Sequence, residues 1–273
     1  MIANLRELQL ALLGMLQDID TICRENNIQY SLACGTALGA VRHQGFIPWD
    51  DDLDIMFVRP EYDRFIEIAT PLLKEKGYTL QREYSEDWPM QFSKVRKDNT
   101  TYIENFSPKI KNLHQGIFID LFPVDNLSDN KLIECVQWHF FHILVAKGMV
   151  KRGYKTTSKS KKFAMMISSL FPERLLKSFV MQKEKSNTQR VHCFLGAAVI
   201  KSHNIFPRKL FESYTQIAFE GKLFPIVEDY DTYLKTCYNN YMVFPSEEKR
   251  KARIHALQVD LERPYTDYVN NNK

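Results

Sequence analysis

Residues 34–57, CGTALGAVRHQGFIPWDDDLDIMF, contain a Gly-Thr turn and, after a short predicted helix and a loop, four aspartates among large apolar residues. Alternate side chains of an extended strand point to opposite faces, so Asp50, Asp52 and Asp54 are predicted to share one face, with Asp51 facing away. Clustered carboxylates repel one another unless a cation lies between them. The segment therefore predicts a divalent metal site, with a solvated acidic turn as the alternative.

The chemistry of these side chains indicates which ion and which reaction to expect. Carboxylate oxygens without histidine or cysteine nearby favour Mg²⁺ or Mn²⁺ over zinc. Such ions usually bind through a few carboxylates together with substrate phosphates, which favours phosphoryl or nucleotidyl transfer. Asp120, a lone acid in the apolar stretch 116–122, is a third carboxylate, either a metal ligand or a general base. A hydrogen-bonded structural aspartate is the alternative for that residue.

Several other residues are candidates for binding phosphate. The Gly-Thr turn can present backbone N–H groups at a helix start, two basic residues follow at the other end of that helix, and two more alternate on a predicted strand. A structural turn and solvated surface cations are the alternatives. The candidates are Gly35, Thr36, Arg42, His43, Lys94 and Arg96.

Composition limits the class of protein. The 273 residues suffice for one large domain, or for a catalytic core with a smaller helical partner. A formal charge of +4, from 37 basic and 33 acidic residues, gives no reason to expect a nucleic-acid partner. The five cysteines are scattered without a C-x-x-C pair, which is typical of reduced thiols in a cytoplasmic protein. No apolar stretch reaches the roughly 18 residues needed to span a membrane.

Hydrophobic periodicity and turn residues predict a mixed β-sheet flanked by helices, which is an α/β (α+β) fold. Helices are expected near residues 2–25, 36–43, 60–76, 130–149 and 159–184. Strands are expected near residues 28–33, 52–58, 78–83, 91–97, 100–105 and 116–122, the last closed by Pro123. Residues 1–128 are assigned to a catalytic core, and residues 129–273 to a helical and mixed part that packs on it.

A basic stretch joins the two long C-terminal helices. Between Lys147 and Lys162 the sequence contains seven lysines and arginines and no acid. A mobile, solvated loop is one interpretation. The other is a peripheral contact with anionic lipid headgroups, or with a phosphate-bearing acceptor polymer.

The segment quoted first resembles the LicD family, a branch of the nucleotidyltransferase-fold superfamily that includes the fukutin-related transferases. The resemblance extends to SKVRKDNTTY, GIFIDLFPVD, NIFPRKLFE and FEGKLFPIVEDYDTYL, and is weakest over residues 131–203. It implies a nucleotidyltransferase-like sheet in which Asp52 and Asp54 bind Mg²⁺ and Asp120 is the third catalytic carboxylate. Residues 238–241, Tyr-Asn-Asn-Tyr, depart from the Tyr-Gly that the family often has.

The resemblance also implies a function. Members of the family transfer a phosphorylated alcohol, typically phosphocholine from CDP-choline, onto glycans such as teichoic acid or lipopolysaccharide, with CMP as the product. The expected partners are thus a CDP-activated alcohol and a phosphate-rich or lipid-linked glycan, with the protein at the inner face of the cell membrane. The alternatives are another donor such as CDP-ribitol or CDP-glycerol, nucleotide transfer from an NTP, and a non-enzymatic binder of polyanions or membranes.

Overall fold

The computed structural model describes residues 4–104, 113–180, 188–197, 200–248 and 256–269. Its helices are α1 (Leu5–Glu25), α2 (Cys34–His43), α3 (Arg59–Glu75), α4 (Lys131–Arg152), α5 (Lys159–Ser168), α6 (Glu173–Val180), α7 (Tyr230–Tyr238) and α8 (Thr266–Val269). Its strands are β1 (Ser31–Leu32), β2 (Asp54–Val58), β3 (Tyr78–Gln81), β4 (Ser93–Lys97), β5 (Thr101–Glu104), β6 (Phe118–Leu127), β7 (Arg190–Cys193), β8 (Ile205–Pro207), β9 (Tyr214–Phe219), β10 (Lys222–Val227) and β11 (Ala256–Asp260).

One mixed sheet forms the centre of the molecule. Among the described residues it contains seven strands, with the order β1-β2-β6-β4-β3; β7 pairs along the second half of β6, and β8 pairs with β7. β2 and β6 run parallel, whereas the other neighbouring strands are antiparallel. Two further antiparallel pairs, β9–β10 and β5–β11, lie outside this sheet. The predicted α/β fold with a mixed sheet and flanking helices is confirmed.

The helices cover the sheet with amphipathic faces. α1 begins at a capping box, in which the Asn4 side chain accepts from Arg6 N–H and the Glu7 carboxylate accepts from Asn4 N–H. Its apolar side is fully buried, as Leu16 and Ile19 show. No helix in the described part of the chain combines the length and apolar composition needed to cross a bilayer.

The central strand β6 is longer than predicted, since it continues through Pro123 to Leu127. β4 pairs with β6 only as far as Leu121, and β7 takes over from Val124. Pro123 falls between these two neighbours, where no ladder partner on that side needs the N–H that proline lacks. The expectation that Pro123 closes the strand was therefore wrong.

The predicted helix over residues 159–184 is two helices, α5 and α6, as far as Val180; its last four residues lie outside the described part. Pro172 stands immediately before α6, where its missing N–H and its restriction of the preceding residue stop one continuous helix. α6 packs against α4 in a second apolar cluster through Leu176, Val180 and Phe141. The residues beyond 128 also supply β7 and β8 to the central sheet, and the boundary at 128/129 stays a prediction.

Two helical glycines make a matched test of how tightly α2 is packed. A Cβ at Gly39 in α2 would lie 2.5 Å from the carbonyl oxygen of Gly45, a backbone atom that cannot swing aside. A Cβ at Gly14 in α1 meets nothing within 4 Å. We expect Gly39→Ala to lower the free energy of unfolding in urea by about 1–3 kcal/mol. Gly14→Ala should leave it unchanged or raise it by about 0.5–1 kcal/mol. Equal stability of the two variants would contradict this packing.

Candidate active site

Two carboxylates and a lysine form a row across three adjacent strands. Asp54, the first residue of β2, is the register partner of Asp120 in β6, and Asp120 is in turn the register partner of Lys94 in β4. Register partners on neighbouring strands point to the same face of a sheet, so the three side chains lie side by side. All three are buried, with relative exposures of 7%, 9% and 2% respectively. The structure thus brings together three residues that lie far apart in the sequence.

The backbone of Asp54 is fixed on both sides. Its N–H donates to the hydroxyl of Thr36 in α2 at 2.8 Å, and its carbonyl accepts from the N–H of Ala33 at 3.0 Å. The N–H of Asp120 donates to the carbonyl of Leu53 at 3.0 Å, which locks the two acidic strands together. Thr36, predicted to cradle phosphate, therefore positions Asp54, and its contact with phosphate stays a prediction.

The other aspartates of the acidic run are not in a strand. β2 begins at Asp54 because the partners on β1 and β6 are offered only from that residue onward. Asp50 is buried against the start of α2, and a Cβ at Gly35 would lie 2.6 Å from its Oδ2. Asp51 Oδ2 accepts from the Tyr102 hydroxyl at 2.8 Å, which indicates a structural role. The strand predicted from Asp52 was therefore two residues too long at its start.

The electrostatic field at Asp54 is unfavourable for a negative charge. Burial raises the pKa of Asp54 well above its ordinary range, and the negative charges of Asp52, Asp120 and Asp50 raise it further, in that order. The positive charge of Lys94 opposes these effects. Asp52 itself is half-buried. Although Asp50 and Asp52 lie outside the strand, they contribute to the field at Asp54, as a cation-binding cluster requires.

Lys94 neutralises part of this charge. Its Nζ lies 2.9 Å from Asp120 Oδ1, which makes a close ion pair inside the sheet. Burial raises the pKa of Asp120 and lowers the pKa of Lys94, and in each case the partner's charge opposes the shift. Lys94 also lies 3.2 Å above the centre of the Phe118 ring. The lysine is thus held at the carboxylate by an ion pair and an aromatic face.

The residues present fit a hard divalent cation in their chemistry. The candidate ligands are carboxylates, and Mg²⁺ and Mn²⁺ prefer oxygen ligands. In the described ranges, no three histidine, cysteine, aspartate or glutamate side chains are already spaced to hold one ion. A bound metal would therefore require the carboxylates of Asp52, Asp54 and Asp120 to draw together.

Arg96, two residues after Lys94 on the same face of β4, is buried beside the row and not at its surface. It is 1% exposed and donates from Nε to Gln81 and from Nη1 to the carbonyl of Gly116. Glu104, 3.9 Å from Arg96, accepts from Arg152 at 3.0 Å. These contacts hold the Arg96 side chain in place beside the row. Phosphate binding by Arg96 stays a prediction.

Arg42 and His43 lie at the opposite end of α2 from Thr36, roughly 10 Å along the helix axis. Arg42 donates to the carbonyl of Tyr241 at 2.8 Å, and its guanidinium lies 4.7 Å from the centre of the Phe244 ring. The His43 ring packs edge-on against the same phenylalanine. The structure therefore joins Arg42 and His43 to the C-terminal part of the chain, and their contact with phosphate stays a prediction.

Comparison with known proteins identifies the fold around this row. Residues 27–141 match the protein-family model described as "LicD/FKTN/FKRP, nucleotidyltransferase domain". The chain therefore contains a domain of the nucleotidyltransferase type. Residues 27–141 are thus a LicD-family domain, as the resemblance of the motifs in this range predicted.

Individual relatives extend the likeness beyond that domain. The chain is 28% identical over 260 residues, 91% of its length and 95% of the relative's, to "Lipopolysaccharide cholinephosphotransferase LicD" of Haemophilus influenzae. It is also 43% identical over 136 residues, half of this chain and 41% of the relative, to an uncharacterized protein of Rickettsia typhi. The first match includes most of the region after residue 141, so the likeness is not confined to the acidic strands.

Sequence reasoning missed the residues that support the site from a distance. Gln9 in α1 donates to the carbonyl of Asp50 at 3.0 Å, and Glu220 between β9 and β10 accepts from the N–H of Phe46 at 3.0 Å. The N–H of Ala256 donates to the carboxylate of Asp51 at 3.2 Å. These partners come from segments far along the chain, and no local pattern marks them.

The Asp54→Asn variant tests two effects in turn: the cost in stability of the buried carboxylate, measured without metal, and the binding of a metal ion, measured with it. Because the pKa of Asp54 is raised in the folded protein, its ionisation costs stability as the pH rises above the ordinary aspartate range. Without metal, we expect the variant to melt higher than the wild type at pH 7–8, with the difference vanishing as the pH falls below about 4. With Mg²⁺ or Mn²⁺ at about 100 times its Kd, only the wild type should gain about 2.7 kcal/mol.

The control is Glu67→Gln, which alters an exposed acid on α3. It should leave both the melting temperature and the response to metal unchanged. Equal stabilisation of Asp54→Asn and the wild type by either metal would contradict a site at Asp54. Thermal unfolding with EDTA and then with each metal gives both measurements.

Proposed function

We propose that this protein is a Mg²⁺-dependent phosphotransferase that moves phosphocholine from CDP-choline to a cell-surface glycan and releases CMP. The observation that carries the proposal is the buried row of Asp54, Asp120 and Lys94 beside the start of α2. The LicD-family domain and the likeness to a lipopolysaccharide cholinephosphotransferase over most of both chains support it. The acceptor is a phosphate-rich or lipid-linked glycan.

Each residue of the row has a distinct role in this proposal. Asp52, Asp54 and Asp120 would hold the ion, which when bound neutralises phosphate charge and stabilises the departing CMP. The acceptor oxygen forms a bond to the phosphorus of phosphocholine, the bond from that phosphorus to the CMP oxygen breaks, and CMP leaves with the electron pair. The proton of the acceptor hydroxyl would pass to a carboxylate of the row, and Asp120, beside Asp54 and paired with Lys94, is placed for that role as the alternative to holding the ion. Lys94 orients Asp120 and faces the incoming phosphate.

The activity is tested by the release of CMP from CDP-choline, Mg²⁺ and a lipopolysaccharide or teichoic acid acceptor. We expect Asp54→Asn and Asp120→Asn each to lower kcat by at least about 100-fold, since each removes a charged group of the reaction. Glu67→Gln, on the exposed side of α3, should retain full activity.

Other results would identify other activities. Preference for CDP-ribitol or CDP-glycerol would retain the reaction and change the alcohol. Pyrophosphate release from an NTP, without CMP release from any CDP-alcohol, would replace the proposal with nucleotidyl transfer. Full activity of the Asp54→Asn variant would contradict the mechanism.

The helical pair α5–α6 supports a second part of the proposal, namely peripheral contact with an anionic membrane. Four large apolar side chains of this α5–α6 surface are more than half exposed: Phe163, Met166, Leu170 and Leu175. The exposed lysines Lys159, Lys161 and Lys162 begin α5 beside them. Apolar side chains beside lysines are typical of helices that lie in a membrane interface. A lipid-linked acceptor would then be met at the surface that carries it.

The structure changes which part of the basic stretch we assign to the membrane contact. Lys151 pairs with Glu173 at 2.6 Å and Arg152 pairs with Glu104 at 3.0 Å, so these two cations serve α4 and its neighbours. α4 continues to Arg152, and the connecting loop is correspondingly shorter than the predicted range 147–162. The lysines at the start of α5 are therefore the ones we assign to lipid.

Vesicle binding tests this surface. Neutralising Lys161 and Lys162 with Gln should weaken sedimentation with phosphatidylglycerol vesicles about fivefold per lysine, because each contributes about 1 kcal/mol near an anionic surface. Phe163→Ser should weaken it as well, and binding should be lost with phosphatidylcholine vesicles. Lys222→Gln, an exposed lysine on β10, is the matched control and should bind like the wild type. Unchanged binding of the Lys161 and Lys162 variants would contradict the contact.

A further inference from the structure

A cavity of about 120 Å³ lies beside the acidic row, and five aromatic side chains contribute to its wall. This is about four times the roughly 30 Å³ that one molecule occupies in liquid water. The aromatic residues come from four separate parts of the chain: Phe122, Phe194, Phe206, Tyr233 and Tyr238. The other lining residues are three cysteines (Cys34, Cys193 and Cys237) and two polar residues, His203 and Asn204. We call this space the aromatic cavity.

The aromatic cavity adjoins the carboxylates. Phe122 stands two residues after Asp120 on β6, so both side chains point to the same face of the sheet, about 6–7 Å apart along the strand. Cys34, the first residue of α2, belongs to the wall, and its N–H donates to the hydroxyl of Tyr233 at 3.0 Å. A group bound in the aromatic cavity would therefore lie against Phe122, which is the next residue after Asp120 on the same face of β6.

The local field in the aromatic cavity favours a positive charge. Among the described residues that line it, none is a lysine or an arginine. The pKa of the Cys34 thiol is raised well above its usual range, first by burial and next by the negative charge of Asp54. The thiol of Cys193 has a raised pKa too, chiefly from burial, with Asp125 and Asp54 among the contributing charges. The wall thus combines aromatic rings with the negative field of nearby aspartates.

Two residues of the wall have an unusual backbone. Cys34 has a φ of 44° and Phe194 a φ of 46°, in the left-handed region that residues with a bulky side chain seldom adopt. Such conformations persist only where the surrounding structure holds them, and they cluster at ligand sites. Here Cys34 is the first residue of α2, and Phe194 packs against Phe122. The rings of the two phenylalanines are stacked, with their centroids 5.6 Å apart. The aromatic wall is thus maintained at a cost in backbone energy.

We infer that the aromatic cavity binds the trimethylammonium group of the phosphocholine that is transferred. A quaternary ammonium cannot donate hydrogen bonds, and aromatic faces recognise it through the negative charge of their π-systems. The aspartates beyond the wall add long-range attraction. This inference rests on the proposed function, and it specifies how the site selects its alcohol. A primary ammonium, which retains hydrogen-bonded water, would lose more than it gains in such a cavity.

A series of donors that lose one methyl group after another tests the inference. CMP release is measured with CDP-choline, CDP-N,N-dimethylethanolamine and CDP-ethanolamine, for the wild type and for Phe194→Leu. Phe194 is half-buried, and leucine keeps the site apolar. The wild type should prefer CDP-choline to CDP-ethanolamine by at least about tenfold in kcat/KM. In Phe194→Leu we expect that ratio to fall to within about threefold.

The matched control is Phe219→Leu, which removes a buried ring that packs on Phe46, outside the aromatic cavity. Thermal unfolding measures the stability of this variant, and its donor ratio should equal that of the wild type. A loss of the ratio in this control, or an equal loss with all donors in Phe194→Leu, would overturn the inference. The second result is what a cavity for the cytosine base would give.

Direct binding separates failure of this inference from failure of the proposed function. Calorimetry with phosphocholine and with phosphoethanolamine needs no turnover and no nucleotide. The wild type should bind phosphocholine at least about tenfold more tightly, and Phe194→Leu should bind the two alike. If no CDP-alcohol releases CMP but this preference is present, the proposed reaction fails and the cavity assignment stands. Equal affinity of the wild type for both ligands overturns the assignment, whatever the activity.

Discussion

The parallel pairing of β2 with β6 is the constraint on which the site depends. It sets Asp54 beside Asp120 within the sheet, where two negative charges are costly because little water can screen them. Lys94 on the next strand offsets one of these charges, and its position over Phe118 keeps it there. The remaining negative field is unfavourable in the absence of a cation, so the same pairing strains the core and underlies the proposed metal site.

The surroundings of this row hold it by backbone contacts more than by side-chain packing. Thr36 accepts the N–H of Asp54, Leu53 accepts the N–H of Asp120, and α2 presses closely on the loop that carries the acids. These contacts fix the backbone of Asp54 and Asp120, so the spacing of the two residues is set by the fold, and only their side chains can rotate. In the proposed metal site, the adjustment would fall mainly to Asp52 and to side-chain rotation.

Much of the architecture could be predicted from local patterns, because helical periodicity and alternating strands report directly on burial. The mixed sheet, the helices up to residue 76 and the pairing of Asp54 with Asp120 followed from such patterns and from family motifs. The ends of elements did not, since β2 starts where its neighbours offer partners and β6 passes Pro123 between two neighbours. Burial of Lys94 and Arg96 was also missed, because a surface lysine and a lysine paired inside a sheet have the same local sequence.

The aromatic cavity shows the same limit on a larger scale. Phe122 is the last residue of the strand predicted over residues 116–122, and Tyr233 lies in the part of the chain predicted only as helical and mixed. Only the fold brings them together with Phe194 and with the start of α2. The spacing of residues along the chain does not predict that these segments lie together, because tertiary packing joins them and no repeating sequence pattern does.

The contacts that reach back from the C-terminal half have a consequence for how the protein matures on the ribosome. Phe46 is held by Glu220, Cys34 by Tyr233, and Asp51 by the N–H of Ala256. All three partners are synthesised after the family domain of residues 27–141 has emerged. A nascent chain that already contains Asp52, Asp54 and Asp120 thus still lacks the contacts that fix the acidic loop and the start of α2. The surroundings of the acidic row are therefore completed late in translation.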